Sequence, residues 1–313
     1  MIVNRKLIIV WLLCFVLITM AIIVKLEDQK QNETVSVPDY LVENEQLTTS
    51  DSFYLEEDKS EEKKQVEEKK VTNNISPITA KAYIVANLES GNIILEKNAR
   101  MRLPVASMSK LITAIEAIDK YSTSSEIVLN LESVKDIPDP YNFIDGDKFT
   151  VEDLLYPLLL NSSNIAAEII ASSTDRKDFM DNMSSYAWEI GMPDTYFADP
   201  SGISPYNAST AFDFFALARY LYKSRPDILD ITKTAKMELA TTTEHGYYQF
   251  TSIHPFVYNS TFIGGKTGHT KEAKDTMLSI FMVKNQPIAI IVLSSDDRRK
   301  DTSYLLGKVQ GLI

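Results

Sequence analysis

The chain has 313 residues, 44% of them hydrophobic, and is therefore long enough to bury a good-sized core. Its formal net charge of −11 argues against nucleic-acid binding, because phosphate recognition requires a basic face. The single cysteine, Cys14, rules out an intrachain disulfide, and the three histidines do not stand at metal-ligand spacing, so a zinc site is not expected.

The first predicted element is a membrane segment. Residues 7–24, LIIVWLLCFVLITMAIIV, are 18 uncharged residues, close to the minimum length that crosses a hydrocarbon core. Arg5 and Lys6 precede the segment, which favours a cytoplasmic N-terminus and export of the remainder. A cleaved signal peptide is the alternative, although the apolar run extends beyond the small residues that could form a cleavage site. We expect residues 1–25 to be an uncleaved, single-pass anchor in the cell membrane.

An acidic, low-complexity segment follows the predicted anchor. Residues 26–76 contain 14 acidic and six basic side chains, including the run EEDKSEEKKQVEEKK at 56–70. Such a segment cannot bury enough apolar surface to fold alone. The sequence therefore predicts that residues 26–77 form a disordered stalk, which holds the following domain away from the extracytoplasmic side of the membrane.

A folded domain is predicted over residues 78–313, beginning with two strands. The segment AYIVANLESGNIILEKN predicts strands at 82–88 and 92–96, joined by a turn at Ser90-Gly91-Asn92. A helix-rich middle follows from residue 104 to about residue 236. Within it, Thr150 and Asp153 have the spacing of a helix N-terminal cap.

The last third of the chain returns to strands. STFIGGKTGHT is followed by TMLSIFMVKNQPIAIIVLSS, which contains two apolar runs around a turn at Lys284-Asn285-Gln286, and DDRRKDTSYLLGKVQGLI predicts a closing helix. Strands at both ends of the domain predict an α+β fold. In this fold one antiparallel sheet is built from both ends of the domain and is flanked by helices and a helical lobe.

The first candidate site motif is Ser107-Met108-Ser109-Lys110. A serine and a lysine three residues apart lie on the same side of a helix, so the amine can reach the hydroxyl. The apolar residues that follow would bury Lys110 and lower its pKa, so that the neutral amine could take the serine proton. The alternative is an exposed pair at an ordinary helix start. The motif is weak alone, since Ser60 and Lys63 also match it in the charged stalk.

The second candidate motif is Ser162-Ser163-Asn164, a polar cluster between two apolar stretches. If the cluster is buried, its polar groups must be paired. The alternative is a simple helix break, since Ser and Asn are both good helix N-caps.

The third candidate motif is Lys266-Thr267-Gly268 within FIGGKTGHT. On a strand, Lys266 and Thr267 would point to opposite faces, while Gly268 would leave room for a ligand to approach the backbone. The alternative is a glycine-rich edge strand with a solvated lysine.

These motifs, in this order and with their flanking text, resemble the serine D-alanyl-D-alanine carboxypeptidases, the low-molecular-mass penicillin-binding proteins of the S11 peptidase type. The resemblance covers about residues 78–313. It includes the segments LPVASMSKLITA, LLYPLLLNSSNIAAE, FADPSGIS, STAFDFFALARYL and IGGKTGHT. It implies the β-lactamase/transpeptidase-like fold and an acyl-enzyme hydrolase that removes the terminal D-alanine from peptidoglycan stem pentapeptides.

The resemblance also implies roles for individual residues. Ser107 would be the acylated nucleophile, Lys110 its general base, and Ser162 the group that relays a proton to the leaving amine. Asn164 would position the peptide, and Lys266 would provide electrostatic stabilisation.

Three neighbouring positions complete the implied site. Thr267 would bind the substrate carboxylate beside Gly268, and the backbone N–H groups of Ser107 and His269 would form the oxyanion hole. The resemblance implies no metal or organic cofactor. The expected partners are the peptidoglycan stem peptide, β-lactam antibiotics as inhibitors and the membrane, with no nucleic acid.

Two departures and three alternatives accompany this interpretation. Ser163 and Lys274 stand where the family usually has glycine. A DD-endopeptidase would use the same motifs, and a β-lactamase would share them but require a deacylation base, for which no Glu-x-x-Leu-Asn stretch is found after Asn164. A catalytically silent, membrane-tethered wall-binding protein is the third alternative, although it would have no reason to keep a buried amine beside a hydroxyl.

Overall fold

A computed structural model of the protein describes residues 78–138 and 140–313. The predicted anchor at 1–25 and the predicted stalk at 26–77 lie outside the described residues. Among the helices of the described part, none is both long enough and apolar enough to cross a bilayer.

The domain is organised around an antiparallel sheet of five strands, which lie across the sheet in the order 93–97, 82–87, 286–295, 274–283 and 262–270. The first two strands come from the start of the domain and the other three from its end, as the sequence predicts. The strands are β1 (Ala82–Asn87), β2 (Ile93–Lys97), β9 (Phe262–Thr270), β10 (Lys274–Val283) and β11 (Gln286–Ser295).

Alternation along the strands buries both faces of this sheet. Leu278 and Ile291 face a large core shared with most of the helices, whereas Met277 and Val292 face a smaller core on the other side. Because both faces are covered, the central strands are continuous apolar runs rather than alternating ones.

Seven α-helices accompany the sheet within the described residues. They are α1 (Lys110–Lys120), α2 (Val151–Leu159), α3 (Asn164–Ser172), α4 (Arg176–Glu189), α5 (Ala211–Ser224), α6 (Pro226–Thr232) and α7 (Arg298–Leu312). Helix α7 is the predicted closing helix and packs Leu305 and Val309 into the smaller core. The predicted cap is confirmed, since Thr150 Oγ1 accepts a 3.0 Å hydrogen bond from the Asp153 N–H at the start of α2.

Between β2 and β9, the described residues also form three two-stranded sheets that the sequence analysis did not predict. They pair β3 (Leu103–Pro104) with β6 (Ala208–Ser209), β4 (Glu126–Val128) with β5 (Lys148–Thr150), and β7 (Lys236–Leu239) with β8 (Tyr248–Thr251). Strands of two to four residues are too short to display a periodic pattern, so only their partners across the fold define them.

Two turns of the large sheet place residues other than glycine at positive φ angles. Lys284 and Asn285 adopt φ angles of 47° and 62°, which the tight β10–β11 hairpin requires. Lys274, where the resemblance leads one to expect glycine, has a φ of 55° in the left-handed region that favours glycine. The departure from glycine is therefore accommodated with backbone strain at the start of β10.

Candidate active site

Ser107 lies in a short 3-10 turn, Ala106–Ser109, that leads directly into α1. The predicted serine is thus one turn ahead of the α-helix rather than inside it. Ala106 has a φ of 51°, a strained conformation for a residue with a Cβ. Hydrogen bonds hold this turn, from Ser109 Oγ to the Ala106 carbonyl and from Thr276 Oγ1 to the Val105 carbonyl, both at 2.9 Å. Strain that neighbouring groups enforce in this way is typical of a functional site.

Lys110 is the first residue of α1 and is completely buried. Its Nζ is 2.9 Å from Ser107 Oγ and 2.8 Å from Asn164 Oδ1, and it also contacts the Ser201 carbonyl oxygen. Burial lowers the pKa of Lys110 from 10.5 to about 7, and the negative charge of Asp199 opposes this shift in part. A substantial fraction of the amine is therefore neutral near neutral pH.

The three oxygen neighbours of the Lys110 amine define its orientation. A neutral amine has two N–H donors and one lone pair, whereas the carbonyl oxygens of Asn164 and Ser201 can only accept. If both N–H groups go to these oxygens, the lone pair is left facing Ser107 Oγ, whose hydroxyl can donate. This is the arrangement that a general base for the serine requires.

The predicted Ser162-Ser163-Asn164 cluster forms the break between α2 and α3. Ser162 has a φ of 63°, and Ser163 caps α3 by accepting a 3.1 Å hydrogen bond from the Ala166 N–H. The cluster is therefore a helix break with an N-cap, and it also carries Asn164 to Lys110.

The predicted Lys266 lies in β9, at the edge of the sheet, and is 1% exposed. Its Nζ donates hydrogen bonds of 2.9 Å to Ser162 Oγ and to the Thr267 carbonyl. Burial lowers the pKa of Lys266 well below 10.5, and the positive charges of Lys110 and Arg298 add to the effect. A bound anion would supply the counter-charge that these cationic neighbours do not.

Gly268 is where β9 meets the turn Ala106–Ser109, which carries Ser107. A Cβ built on Gly268 would lie 2.5 Å from Thr276 Oγ1 and 2.9 Å from both the Ser107 nitrogen and the Val105 carbonyl oxygen. Only glycine fits without displacing the backbone that carries Ser107. The glycine in the third motif is therefore required by the close approach of two backbones.

The outer edge of β9 is covered at one end. The Gly265 N–H points away from β10, since it donates a 3.1 Å hydrogen bond to Thr232 Oγ1 at the end of α6. By the alternation of a strand, the N–H groups of Thr267 and His269 point the same way. His269 thus follows Gly268, beside the Ser107 backbone, with its N–H directed out of the sheet. The side chain of His269 is 67% exposed and its Nδ1 lies 2.8 Å from Asp275 Oδ1.

The structure therefore brings the three predicted motifs into one neighbourhood. Ser107, Lys110 and Asn164 form one hydrogen-bonded group, and Ser162 and Lys266 form a second, connected to the first through the loop 162–164. Thr267 is buried on the opposite face of β9, since its sheet partner Met277 belongs to the smaller core.

Sequence reasoning missed two groups of this site. The Ser201 carbonyl is a neighbour of Lys110, and the turn that presents it is organised by Asp199. The other is Arg298 in the first turn of α7, which donates a 2.8 Å hydrogen bond to the Gly268 carbonyl and a 3.2 Å one to Asp275. The Asp-Pro-Ser-Gly run at 199–202 is a recognisable turn signal, but nothing in it indicates contact with a lysine. Arg298 lies within a charged helix start and carries no signal of its own.

Comparison with known proteins identifies the family. The family model for D-alanyl-D-alanine carboxypeptidases, peptidase S11, matches residues 64–297. The chain belongs to this family. It is thus a member of a family of serine peptidases, and the resemblance read from the motifs is confirmed.

Characterised relatives carry two kinds of name. The chain is 25% identical over 226 residues to a D-alanyl-D-alanine endopeptidase of Escherichia coli, covering 70% of this chain and 72% of the relative. It is 28% identical over 203 residues to the D-alanyl-D-alanine carboxypeptidase DacF of Bacillus subtilis, covering 62% of this chain and 52% of the relative. The match therefore spans only about half of the Bacillus protein.

Solved structures support the transpeptidase-like fold. Penicillin-binding protein D2 of Listeria monocytogenes, solved with cefotaxime bound, superposes with a TM-score of 0.61 at 27% identity, covering 74% of this chain and 96% of that protein. A D-alanyl-D-alanine carboxypeptidase of Mycobacterium tuberculosis superposes with a TM-score of 0.68 at 23% identity, covering 75% and 92%. The antiparallel sheet with flanking helices is thus the fold of this group.

Proposed function

We propose that the protein is a serine-type D-Ala-D-Ala carboxypeptidase that removes the terminal D-alanine from peptidoglycan stem pentapeptides. The observation that carries the proposal is the buried Lys110 amine, with a pKa of about 7, placed 2.9 Å from Ser107 Oγ. Holding a lysine in this state costs free energy, and a proton-accepting role explains why the position is not apolar.

In the proposed reaction, Ser107 Oγ attacks the carbonyl carbon between the two D-alanines, while its proton moves to the Lys110 nitrogen. The C–N bond then breaks, and Ser162 relays the proton held by Lys110 to the departing amine of D-alanine, which returns Lys110 to its neutral form. Water attacks the resulting ester and releases the shortened peptide, which restores the Ser107 hydroxyl. The contact between Lys266 and Ser162 supports the relay role, since it connects Ser162 to a second proton-exchanging group.

The same cleft has features suited to a peptide that ends in a carboxylate. We assign Lys266 to electrostatic stabilisation and Asn164 to positioning of the peptide. The carboxylate-binding role that the resemblance implies for Thr267 would fall to its backbone N–H, because its side chain is buried on the other face of β9. Burial and the neighbouring positive charges disfavour the protonated form of Lys266. A bound anion would stabilise that form, so the site favours an anionic ligand. The N–H groups of Ser107 and His269, on either side of the Gly268 contact, are assigned to the developing oxyanion.

A DD-endopeptidase that cuts peptidoglycan cross-links is the second candidate function. Three of the relatives, from Escherichia coli, Pseudomonas aeruginosa and Haemophilus influenzae, are named D-alanyl-D-alanine endopeptidases, each about 25% identical to this chain. Both activities use the same acyl-enzyme chemistry and differ in the size of the leaving group.

We also propose that residues 1–25 anchor the protein in the cell membrane and that residues 26–77 form a stalk. The catalytic domain, residues 78–313, would then lie on the extracytoplasmic side, where peptidoglycan is found. The 18-residue apolar run after Arg5 and Lys6 supports this. N-terminal sequencing of the protein recovered from washed membranes tests it: the complete N-terminus in the membrane fraction is expected, and a soluble protein starting after residue 24 contradicts an anchor.

Labelling with a fluorescent penicillin tests the proposed chemistry. Wild type is expected to become covalently labelled, and Ser107→Ala is expected to abolish labelling because the acyl-accepting oxygen is gone. Ser60→Ala, in the second Ser-x-x-Lys match, is the matched control and should label like wild type. Absence of label from the folded wild-type protein refutes the acyl-enzyme proposal and favours a silent wall-binding protein.

Three substrates then separate the enzymatic alternatives. The carboxypeptidase proposal predicts release of D-alanine from a stem pentapeptide faster than cleavage of a cross-linked dimer. The opposite order identifies an endopeptidase. Rapid multiple-turnover hydrolysis of a β-lactam, rather than one stable acylation, identifies a β-lactamase.

A further inference from the structure

A single carboxylate organises the turn that follows Asp199. Its Oδ1 accepts hydrogen bonds from the Ser201 N–H and Ser201 Oγ, both at 2.8 Å, and from the Gly202 N–H at 2.6 Å. Its Oδ2 accepts a 2.7 Å hydrogen bond from the Ser204 N–H. One side chain thus satisfies several backbone donors of an irregular segment, which fixes the conformation of that segment.

This turn is packed directly against the nucleophile. Gly202 has a φ of +85°, and a Cβ added to it would collide with the Ala106 carbonyl and lie 2.8 Å from the Ser107 nitrogen. The preceding carbonyl, that of Ser201, accepts a hydrogen bond from Lys110 Nζ. The turn that Asp199 holds is therefore a wall of the Lys110 site.

We propose that Asp199 is a positioning residue for the reaction, because it holds the Ser201 carbonyl where that oxygen takes one N–H of the Lys110 amine and leaves the lone pair facing Ser107. The inference rests on the proposed function. When the Ser107 proton transfers, the O–H bond breaks and the lone pair of Lys110 forms a third N–H bond. The serine oxygen bonds to the substrate carbonyl carbon, whose π pair moves onto the carbonyl oxygen to give the oxyanion. The two N–H groups that the neutral amine already had keep their hydrogen bonds to Asn164 Oδ1 and to the Ser201 carbonyl oxygen.

Asp199 also contributes charge to this site. The charged groups that act on Lys110 are the carboxylates of Asp199 and Glu168, which raise its pKa. The other buried amine of the site is that of Lys266, whose own pKa is lowered by burial and by Lys110. Neutralising Asp199 removes one of the two stabilising negative charges. The pKa of Lys110 should then fall further below about 7, in addition to any change in geometry.

Asp199→Asn separates positioning from simple support of the fold. The amide oxygen can replace Oδ1, but the amide N–H₂ then faces the Ser204 N–H, donor against donor, and the charge is lost. We expect penicillin acylation to slow by about tenfold or more, the effect of one misplaced charge-assisted hydrogen bond. We also expect the acid limb of its pH profile to move to lower pH. A residue that supported the fold without acting on the Lys110 amine would lower the rate and leave the limb where it is.

Two further variants complete the experiment. Ser201→Ala removes one hydrogen bond to Asp199 but keeps the charge, so the rate should fall several-fold with the acid limb unmoved. Asp175→Asn is the matched control. Asp175 also accepts two backbone N–H bonds, at 2.8 and 3.2 Å, but it is an exposed helix cap outside the site, and rate and limb should both stay as in wild type.

The outcomes distinguish this inference from the proposed function. A folded Asp199→Asn protein with the wild-type rate and acid limb overturns the role of Asp199. If that variant does not fold, Ser201→Ala decides, and an unchanged rate there overturns the role. If wild type itself is not acylated, the proposed function fails first.

Discussion

The sharpest consequence of the site geometry is the pH dependence of acylation. Burial lowers the pKa of Lys110 from 10.5 to about 7, which corresponds to about 5 kcal/mol of free energy against the ammonium form. If the neutral amine is the base, the acylation rate follows its neutral fraction. That fraction is about one tenth at pH 6 and about nine tenths at pH 8 for a pKa of about 7.

The expected profile differs sharply from that of an ordinary lysine. With the buried amine, the second-order rate constant should rise about tenfold between pH 6 and pH 8 and change little between pH 8 and pH 9. With a solvated lysine of pKa 10.5, the rate would rise about a hundredfold over the first interval and about tenfold over the second. The interval from pH 8 to pH 9 therefore discriminates between the two.

The assay is the time course of fluorescent-penicillin labelling at limiting reagent, measured from pH 6 to pH 9 at constant ionic strength. Lys110→Arg is the control, because a guanidinium stays charged throughout and should label more slowly by about a thousandfold or more. A tenfold rise between pH 8 and pH 9 in wild type would refute the reasoning, since it would mean that Lys110 is not desolvated.

Three further predictions concern stability and packing. Between about pH 7 and pH 10.5, Lys110 is protonated in the unfolded chain but has released its proton in the folded one. As pH rises through this window, the free energy of unfolding of wild type should therefore increase by about 4 kcal/mol relative to Lys110→Met. Urea unfolding measures this difference, and a difference independent of pH contradicts the burial of Lys110. Gly268→Ala should reduce acylation by about a hundredfold or more, because its Cβ would lie 2.9 Å from the Ser107 nitrogen; wild-type labelling of a folded variant would show that the two backbones can separate freely. At Lys274, whose φ is 55°, valine should be less stable than glycine by roughly 1–3 kcal/mol in thermal unfolding, and equal stability would mean that the turn relaxes.

Parts of the fold follow from residues that are neighbours in the chain. The β1–β2 hairpin is observed as Ala82–Asn87 and Ile93–Lys97, within a residue of the predicted strands, because its turn residues and apolar runs are local. The Thr150 cap and the Lys284-Asn285 turn are predictable for the same reason. By contrast, β7 and β8 are four residues each and become strands only by pairing with one another.

The site divides in the same way. Ser107 and Lys110 are three residues apart, so the chain alone indicates that the amine reaches the hydroxyl. The contact between Ser162 and Lys266 joins residues 104 positions apart and exists only in the folded protein. The Ser201 carbonyl could not be predicted as a partner of Lys110, because every residue has a carbonyl and only packing selects one.

The amino-acid sequence by itself determined the order of the motifs, the hairpins and caps, and the identity of the candidate catalytic side chains, since these depend on chemistry and on short spacings. Only the tertiary structure decided that the amine of Lys110 is buried, that Gly268 packs against the turn carrying Ser107, and that Asp199 organises the turn whose carbonyl contacts Lys110. The physical reason is that a lysine loses its water, and with it its ordinary pKa, only when segments distant in the chain close around it.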